Sequence, residues 1–523
     1  MKKAALTILS SLLLFQTLPA HAATVTADAG ATNCDQEVDN SSSVVAYRLS
    51  TGFCVVEFRR TGSTTWTVPT GVTSISYLVV AGGGGGAGGQ ASEHGGGGGG
   101  AGGVLTGTLS VSAGTINLSV GGGGAGGLAN TAGASGTNTV LAGSITAIGG
   151  GRGGTYFSPN APFTGGSGGG AGVSEVVAQL TGANGTAGQG NKGGNVTITG
   201  TNARHGAGGG GAGFVGGNVT TSGGFTITAG AGGDGLLSTI TGSDRIFGGG
   251  GGGGGSSARG GSATGGAIGG SGGGGAGSTY TGSSSTAAVS GTANTGGGGG
   301  GGVGIGGANA TVGASGGSGI VIIRYALAPA IILAPVISGT ASYGETLTAT
   351  SGNWSNTPTS YSYQWSRAST SSGTYTSISG ATGSTYNLVT ADVDQFLRVT
   401  VTASNTGGSL ASTTPATAAI ARTVRTATLS IEAGSLVYRQ PKTLTSTATV
   451  AGKITFKVNN KNLPGCVSRN VSSTNSFTVT CVYRPSNRGH VLITSTLVPT
   501  DLSFIGATTS SERLFVANRS GNR

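Results

Sequence analysis

The sequence predicts an all-β protein in which a glycine-rich β-frame is followed by two β-sandwich modules. Glycine contributes 112 of 523 residues, with 94 of them between residues 81 and 320, and glycine costs about 1 kcal/mol per residue inside a helix. Short runs that alternate apolar and polar residues flank the glycine, a pattern typical of strands. The absence of a Gly-X-Y period excludes collagen, and a charged fraction of only 8% argues against a charge-rich disordered chain.

The first residues have the organisation of a secretory signal peptide. Lys2 and Lys3 precede an apolar run, and Ala20-His21-Ala22 forms a small-x-small cleavage site. The run is too short to span a bilayer, which needs about 20 apolar residues. We therefore expect residues 1–22 to be removed, the protein to be secreted or held at the cell surface, and the chain to have no transmembrane anchor.

Four cysteines remain after the signal peptide: Cys34, Cys54, Cys466 and Cys481. An even number in an exported chain suggests disulfides, and three pairings are possible. Loop-closure entropy favours the two local pairs, Cys34 with Cys54 and Cys466 with Cys481, by roughly 3 kcal/mol per bridge over any crossed pairing.

The glycine-rich segment carries strand signals that a flexible linker would not need. The runs 109–112 and 115–120 alternate apolar and polar residues around Ala113-Gly114, which predicts a β-hairpin. Ordered glycine offsets its entropy only if nearly every amide is hydrogen-bonded. Extended helices with three residues per turn, packed side by side within a strand frame, satisfy that condition.

Two end motifs carry a resemblance. Trp66-Thr-Val-Pro-Thr-Gly-Val-Thr-Ser-Ile-Ser-Tyr-Leu-Val-Val-Ala-Gly-Gly-Gly-Gly-Gly86 resembles the opening, and Gly316-Gly-Ser-Gly-Ile-Val-Ile-Ile-Arg-Tyr325 the closing strand, of a bacterial glycine-rich domain. Similar segments occur in surface proteins and phage tail adhesins, and a region of the anaplastic lymphoma kinase ectodomain is comparable. The resemblance implies a β-sandwich around packed polyglycine II helices, within a domain that spans residues 23–325.

The remaining chain resembles two bacterial immunoglobulin-like modules, at residues 326–421 and 422–523. In the first, Trp365 stands in the place of the buried strand-C tryptophan, and alternate residues from Leu397 to Ala403 share one strand face. The second has Tyr438-Arg-Gln-Pro441 before one strand and Gly452-Lys-Ile-Thr-Phe456 in the next. Both are expected to be β-sandwiches.

No motif indicates catalysis, so we expect no enzyme activity, no catalytic residues and no cofactor. A GxGxxG match is expected by chance in such a glycine tract, and no GK[ST] completes a phosphate loop. Calcium has two weak candidates, Asp234 in Gly232-Gly-Asp-Gly235 and the pair Asp392 and Asp394, but no metal site is predicted.

The positive charge is concentrated in the last module. Residues 421–523 contain 13 Lys/Arg and 3 Asp/Glu, which gives +10 of the total net charge of +11. This distribution favours contact with an anionic partner, although a merely solvated face would show the same bias. Candidate contacts are Lys457, Lys461, Arg469, Arg484 and Arg488.

The sequence therefore predicts an exported, adhesin-like surface protein without catalytic activity. The expected partners are anionic cell-envelope polymers, glycans or other surface proteins, and nucleic acid is not expected because no aromatic-rich basic motif is present. A purely structural envelope or matrix component without a specific ligand is the alternative. A secreted hydrolase would need a catalytic domain, and no segment has the motifs of one.

Overall fold

The computed structural model describes residues 25–26, 34, 43–91, 93–155, 161–173, 179–197, 204–220, 228–256, 266–281, 284–305, 310–510 and 513–518. The predicted signal peptide lies outside these residues. Apart from two one-turn 3₁₀ helices, Thr390–Asp392 and Ser473–Asn475, the regular structure of the described residues is β-strand. The predicted all-β class is confirmed, and none of the described helices is long and apolar enough to cross a membrane.

The chain forms two compact units, Met1–Pro329 with Asn405–Gly408 and Ala330–Ser404 with Ser409–Arg523. The strands of the first unit are β1 (Val25–Thr26), β2 (Val44–Arg48), β3 (Phe53–Phe58), β4 (Gly62–Val68), β5 (Ser74–Val80), β6 (Val104–Ser110), β7 (Gly114–Val120), β8 (Thr139–Leu141), β9 (Ile145–Ala147), β10 (Gln179–Leu180), β11 (Val196–Thr197), β12 (Val219–Thr220), β13 (Leu236–Ser238), β14 (Arg245–Phe247) and β15 (Ile320–Ala326).

Two sheets frame the glycine-rich region. One has the order β1-β2-β3-β15-β5-β6 and the other the order β4-β7-β8-β9. Strand β15 is apolar almost throughout because both of its faces are covered. Val321, Ile323 and Tyr325 face a core shared with Trp66 of β4, whereas its alternate residues pack against Phe247 of β14 on the opposite face.

The predicted hairpin at residues 109–120 is wrong in its pairing, although both of its strands exist. β6 pairs with β5 and β7 pairs with β4, so the chain crosses from one sheet to the other at residues 111–113. The alternation of residue types identifies a strand with one buried face. It does not identify the partner, because either sheet buries that face in the same core. The short runs β8 and β9 do form a local hairpin.

The glycine segments run from the strand ends and hydrogen-bond to one another with a period of three residues. Nine consecutive amides, residues 95–103, donate to carbonyl oxygens of three different segments in strict rotation, at 2.7–3.0 Å. The acceptors lie in residues 204–210, 296–302 and 148–154. The carbonyl oxygens of residues 94, 96–101 and 103 accept hydrogen bonds from amides within residues 81–90, 251–254 and 167–170. One extended segment is therefore surrounded by six others.

This packing leaves no room for side chains on the inward-facing glycines. A Cβ at Gly99 would lie 2.1 Å from the carbonyl oxygen of Gly84, and a Cβ at Gly98 would lie 2.1 Å from that of Gly251. Real Cβ atoms essentially never come so close to a backbone oxygen. The backbones approach one another closely because the residues are glycine.

The strands of the second unit are β16 (Ala330–Leu333), β17 (Ile337–Ser338), β18 (Thr346–Ala349), β19 (Asn353–Ser355), β20 (Ser360–Ala368), β21 (Thr376–Ser377), β22 (Thr385–Asn387), β23 (Phe396–Asn405), β24 (Gly408–Thr413), β25 (Thr423–Arg425), β26 (Ala427–Ile431), β27 (Leu436–Val437), β28 (Lys442–Ala448), β29 (Gly452–Val458), β30 (Lys461–Asn462), β31 (Arg469–Val471), β32 (Thr478–Tyr483), β33 (Gly489–Val491), β34 (Ile493–Pro499), β35 (Phe504–Gly506), β36 (Thr508–Ser510) and β37 (Leu514–Ala517).

The first core of this unit lies between the sheets β17-β18-β22 and β21-β20-β23-β24. Trp365 of β20 is fully buried there and its indole Nε1 donates to the carbonyl oxygen of Gly383 at 2.9 Å. Leu397, Val399 and Val401 of β23 are buried, whereas the intervening residues are half-exposed, as the alternation predicts.

The second core lies between the sheets β26-β28-β32 and β30-β29-β34-β36, with β31 paired to β29. A disulfide joins Cys466, in the β30–β31 connection, to Cys481 of β32 and so links the two sheets. A second disulfide joins Cys34 to Cys54 of β3. These are the two local pairs that loop-closure entropy favours.

Candidate interaction surfaces

Glu57 is a buried carboxylate whose charge is balanced inside the first unit. Its side chain accepts hydrogen bonds from Arg59 at 2.7 Å, from Arg245 of β14 at 2.9 Å and from the hydroxyl of Tyr47 at 3.2 Å. Burial, reinforced by the Glu57 charge, raises the pKa of Tyr47. The network attaches the β13–β14 hairpin to the six-stranded sheet, and its role is structural.

The aspartates that were weak calcium candidates have their oxygens engaged within the protein. Asp392 is fully buried and accepts from Arg367 at 2.9 Å, from the Tyr386 hydroxyl at 3.0 Å and from the amide of Val389. Asp394 pairs with Arg422 at 2.6 Å. Asp234 accepts from the amide and the hydroxyl of Ser271. No group of three or more potential metal ligands occurs among the described residues.

The three histidines after residue 22 lie in different environments. His94 and His205 are buried at one end of the glycine segments, where residues 94–95 run beside residues 204–205. Burial lowers the pKa of His205 to about 4. His490 of β33 is exposed and its ring lies 5.3 Å from that of Phe515.

A shallow groove of about 410 Å³ lies on the outer face of the four-stranded sheet. Most of its lining residues have hydroxyl or amide side chains, among them Ser63, Thr65, Asn117 and Ser119, but the surface that they expose in the groove is mainly apolar. The lining has no charged or aromatic side chain. The groove therefore offers hydrogen bonds but no group that would fix a particular ligand.

The five basic residues predicted as contacts fall into two groups within the last module. Lys457, Lys461 and Arg469 belong to β29 and its two neighbours β30 and β31, where Lys461 is paired with Val458. Arg484 and Arg488 lie in the β32–β33 connection and are exposed. The structure thus places three candidates on one sheet and two on a loop.

The described cations from residue 425 onward have no described carboxylate partner, whereas five earlier arginines do. Arg59, Arg204, Arg245, Arg367 and Arg422 each form an ion pair. From residue 425 to residue 513, none of the described lysines and arginines pairs with a described carboxylate.

The two described acids from residue 425 onward accept hydrogen bonds from backbone amides. Glu432 accepts from the amide of Thr443, and Asp501 accepts from that of Ser503. These hydrogen bonds lower the pKa of both carboxyls. The positive charge of the described residues from 425 to 510 is therefore not neutralised by ion pairs.

Tyr438 and Arg439 were not among the predicted contacts, yet they form the centre of the loop group. The guanidinium carbons of Arg439 and Arg488 each lie 5.1 Å from the centre of the Tyr438 ring. The amide of Arg439 donates to the carbonyl oxygen of Pro485 at 2.9 Å, which joins it to the connection that carries Arg484. The sequence places Arg439 forty-nine residues before Arg488, so only the fold reveals the cluster.

Comparisons with known proteins concern mainly the first unit. The family model of a glycine-rich domain matches residues 59–326. Among solved structures, a crystal structure of Dscam1 isoform 1.9, N-terminal four Ig domains, is similar at 10% identity with a TM-score of 0.15, a value too low to define a shared fold. That match covers 36% of this chain and 46% of the other, so the chain spans less than half of that protein's length. No curated protein matches the chain. Since the glycine-rich model covers more than half of the residues, the chain belongs to the glycine-rich domain family.

Proposed function

We propose that this protein is an exported, non-catalytic surface protein of the adhesin type, of bacterial origin. In this proposal the glycine-rich domain is a rigid platform and the two following modules are immunoglobulin-like sandwiches. The last module contacts anionic polymers of a cell envelope. The signal peptide supports export, and the two disulfides suit an oxidising compartment.

The three-residue hydrogen-bond cycle supports a platform of polyglycine II-type helices. A helix with three residues per turn directs successive amides to three different neighbours, which is the rotation seen along residues 95–103. Each helix of that kind is held by its neighbours and not by its own bonds. A bundle of them is rigid because no single segment can move without breaking bonds to the others.

The single observation that carries the contact function is the uncompensated charge of the last module. From residue 425 onward its described lysines and arginines have no described carboxylate partner, whereas five earlier arginines do. A charge set that served only to fix the fold would be paired. An unpaired one attracts an anionic surface, with a range of about 8–10 Å at physiological salt.

The experiment is retention of the purified full chain, without residues 1–22, on intact bacterial cells and on purified envelope. We expect saturable binding that weakens steadily as salt rises. Charge reversal at Lys457 and Lys461 should slow association while leaving the unfolding midpoint unchanged. No retention on any envelope preparation at low salt contradicts the contact function.

A purely structural envelope or matrix role is the second candidate, and the glycine packing favours it. A body whose backbone groups bond across seven adjacent segments can bear load without binding a ligand. That role predicts self-association or incorporation into an insoluble matrix, and envelope retention that does not respond to salt.

A further inference from the structure

We propose that the surface formed by Tyr438, Arg439, Arg484 and Arg488, here called the arginine corner, is the anchoring site of the last module for an anionic polysaccharide that carries carboxylates. This inference rests on the proposed function, because it names the partner class and the residues that hold it. Lys457 of β29 and Lys461 of β30 then form a steering surface, which attracts the polymer from a distance before it binds.

Contact with the Tyr438 ring holds two guanidiniums of the arginine corner in place. Arg439 and Arg488 both lie against one tyrosine ring, at 5.1 Å from its centre. A guanidinium that rests on an aromatic face has lost part of its hydration and rotational freedom before any ligand arrives, while its N–H edge still points outward. Such a group binds an anion at a smaller entropic cost than a free lysine does.

The backbone at Arg439 adds a second, independent observation. Its φ is 59°, in the left-handed region that favours glycine or asparagine. The hydrogen bond from its amide to the carbonyl oxygen of Pro485 holds it in this conformation. A non-glycine residue in this conformation persists only where the surroundings fix it, and here the result is that Arg439 reaches the same ring as Arg488.

The guanidiniums of Arg439 and Arg488 lie near each other with no described carboxylate between them. Their guanidinium carbons can be no more than about 10 Å apart, which is within the range over which exposed charges interact at physiological salt. Arg484 is exposed on the same connection, and neither Arg439, Arg484 nor Arg488 pairs with a described carboxylate. Binding of an anion relieves this repulsion.

The chemistry of the corner favours a carboxylated polysaccharide over single-stranded nucleic acid. A carboxylate is planar and can bond a guanidinium edge with two parallel hydrogen bonds in one plane; phosphate can also bind in a bidentate way, so polyphosphate is the competing polyanion that has to be compared. Single-stranded nucleic acid is held by bases stacked on exposed aromatic faces, and the tyrosine here is already covered by guanidiniums. The remaining cations are spread across the module, which suits an extended polymer better than a small ion.

The test measures binding of the full mature chain to immobilised polygalacturonate, with polyphosphate and uncharged dextran as parallel surfaces. The diagnostic variant replaces two arginines, Arg439→Lys with Arg488→Lys, because it keeps the charge and removes the planar forks. Arg513→Lys is the matched control, an exposed arginine of the same module that is not held on a ring and is not among the candidate contacts. Lys457→Gln with Lys461→Gln tests the steering surface.

We expect the Arg439→Lys, Arg488→Lys variant to bind polygalacturonate about tenfold more weakly at physiological salt, mainly through faster dissociation. The Arg513→Lys control should stay within about twofold of the unaltered chain. The lysine variant should associate more slowly, lose part of the salt dependence and dissociate at the normal rate. Circular dichroism and the unfolding midpoint establish that each variant is folded.

Several outcomes overturn the inference. Unchanged affinity of the double arginine-to-lysine variant shows that the site is not the arginine corner, and the proposed function survives if the lysine variant alone loses binding. Tighter binding to polyphosphate than to polygalacturonate removes the assignment to carboxylates. No binding of the unaltered chain to polygalacturonate, with retention on envelope, rejects this partner class. No binding to any of these surfaces or to envelope rejects the proposed contact function itself.

Discussion

Gly122 and Gly124 lie two positions apart in one glycine run, yet a side chain would meet different surroundings at each. A Cβ at Gly124 would lie 2.0 Å from the carbonyl oxygen of Ala134, whereas the nearest atom to a Cβ at Gly122 is the Thr137 hydroxyl oxygen at 3.9 Å. No sequence pattern separates the two residues. Their difference arises from the three-residue rotation, which turns one glycine toward a neighbouring backbone and another toward open space.

We expect Gly124→Ala to lower the free energy of unfolding by about 2 kcal/mol or more, since the added methyl forces two backbones apart. Gly122→Ala is the matched control and should be neutral or stabilising by up to about 1 kcal/mol, through the smaller entropy of the unfolded chain. Chemical denaturation of the full chain measures both. Equal effects of the two substitutions would contradict the packing described above.

His205 gives a pH dependence whose sign follows from its lowered pKa. The folded pKa of about 4 lies below the value of 6.5 for an unperturbed histidine, so the unfolded chain binds the proton more tightly. The stability is fully present above pH 6.5 and is lost as the pH falls toward 4.

We expect the unfolding free energy of the unaltered chain to fall between pH 7 and pH 4.5 by about 2 kcal/mol more than that of a His205→Gln variant. His490→Gln, at an exposed histidine, should leave the pH profile unchanged. Denaturation at the two pH values measures the difference. A His205→Gln profile parallel to that of the unaltered chain is the opposing result.

At the scale of elements, the strands could be predicted from the sequence better than their partners could. β15 and β23 follow from β-branched runs and alternation, and Trp365 has the burial that the resemblance implied. The partner of β6 could not be predicted, because both sheets bury the same face. The Glu57 network could not be predicted either, since Arg245 comes from a hairpin 188 residues along the chain.

The 3₁₀ turn Thr390–Asp392 depends on one buried carboxylate, and the next aspartate provides its control. We expect Asp392→Asn to lower the unfolding free energy by about 3–5 kcal/mol, because Arg367 then keeps a partly buried charge without its partner. Asp394→Asn should cost less than about 1 kcal/mol, since its side chain is 61% exposed and the ion pair with Arg422 lies at the surface. Thermal unfolding of the two variants measures both losses of stability. Similar losses for Asp392→Asn and Asp394→Asn would contradict the prediction.

At the level of the whole molecule, the composition predicted which segment would be ordered and which module would be positively charged. It did not predict which residues would form a contact surface. The excess of glycine between residues 81 and 320 indicated a backbone-packed body, because ordered glycine is stable only when its amides are paired. The positive charge of the last module indicated an anionic partner. The arginine corner could not be predicted, since it depends on the φ of Arg439 and on the contact of Arg488 with Tyr438 across the module.

Backbone hydrogen bonds between glycine segments hold the glycine-rich part of the first unit together. Hydrogen exchange of the full chain, followed by mass spectrometry over residues 94–103, tests this claim most directly. All nine amides from residue 95 to residue 103 donate to other segments, so we expect exchange slowed to a rate close to that set by global unfolding. Exchange of these amides at the rate of an unstructured glycine peptide would contradict the claim.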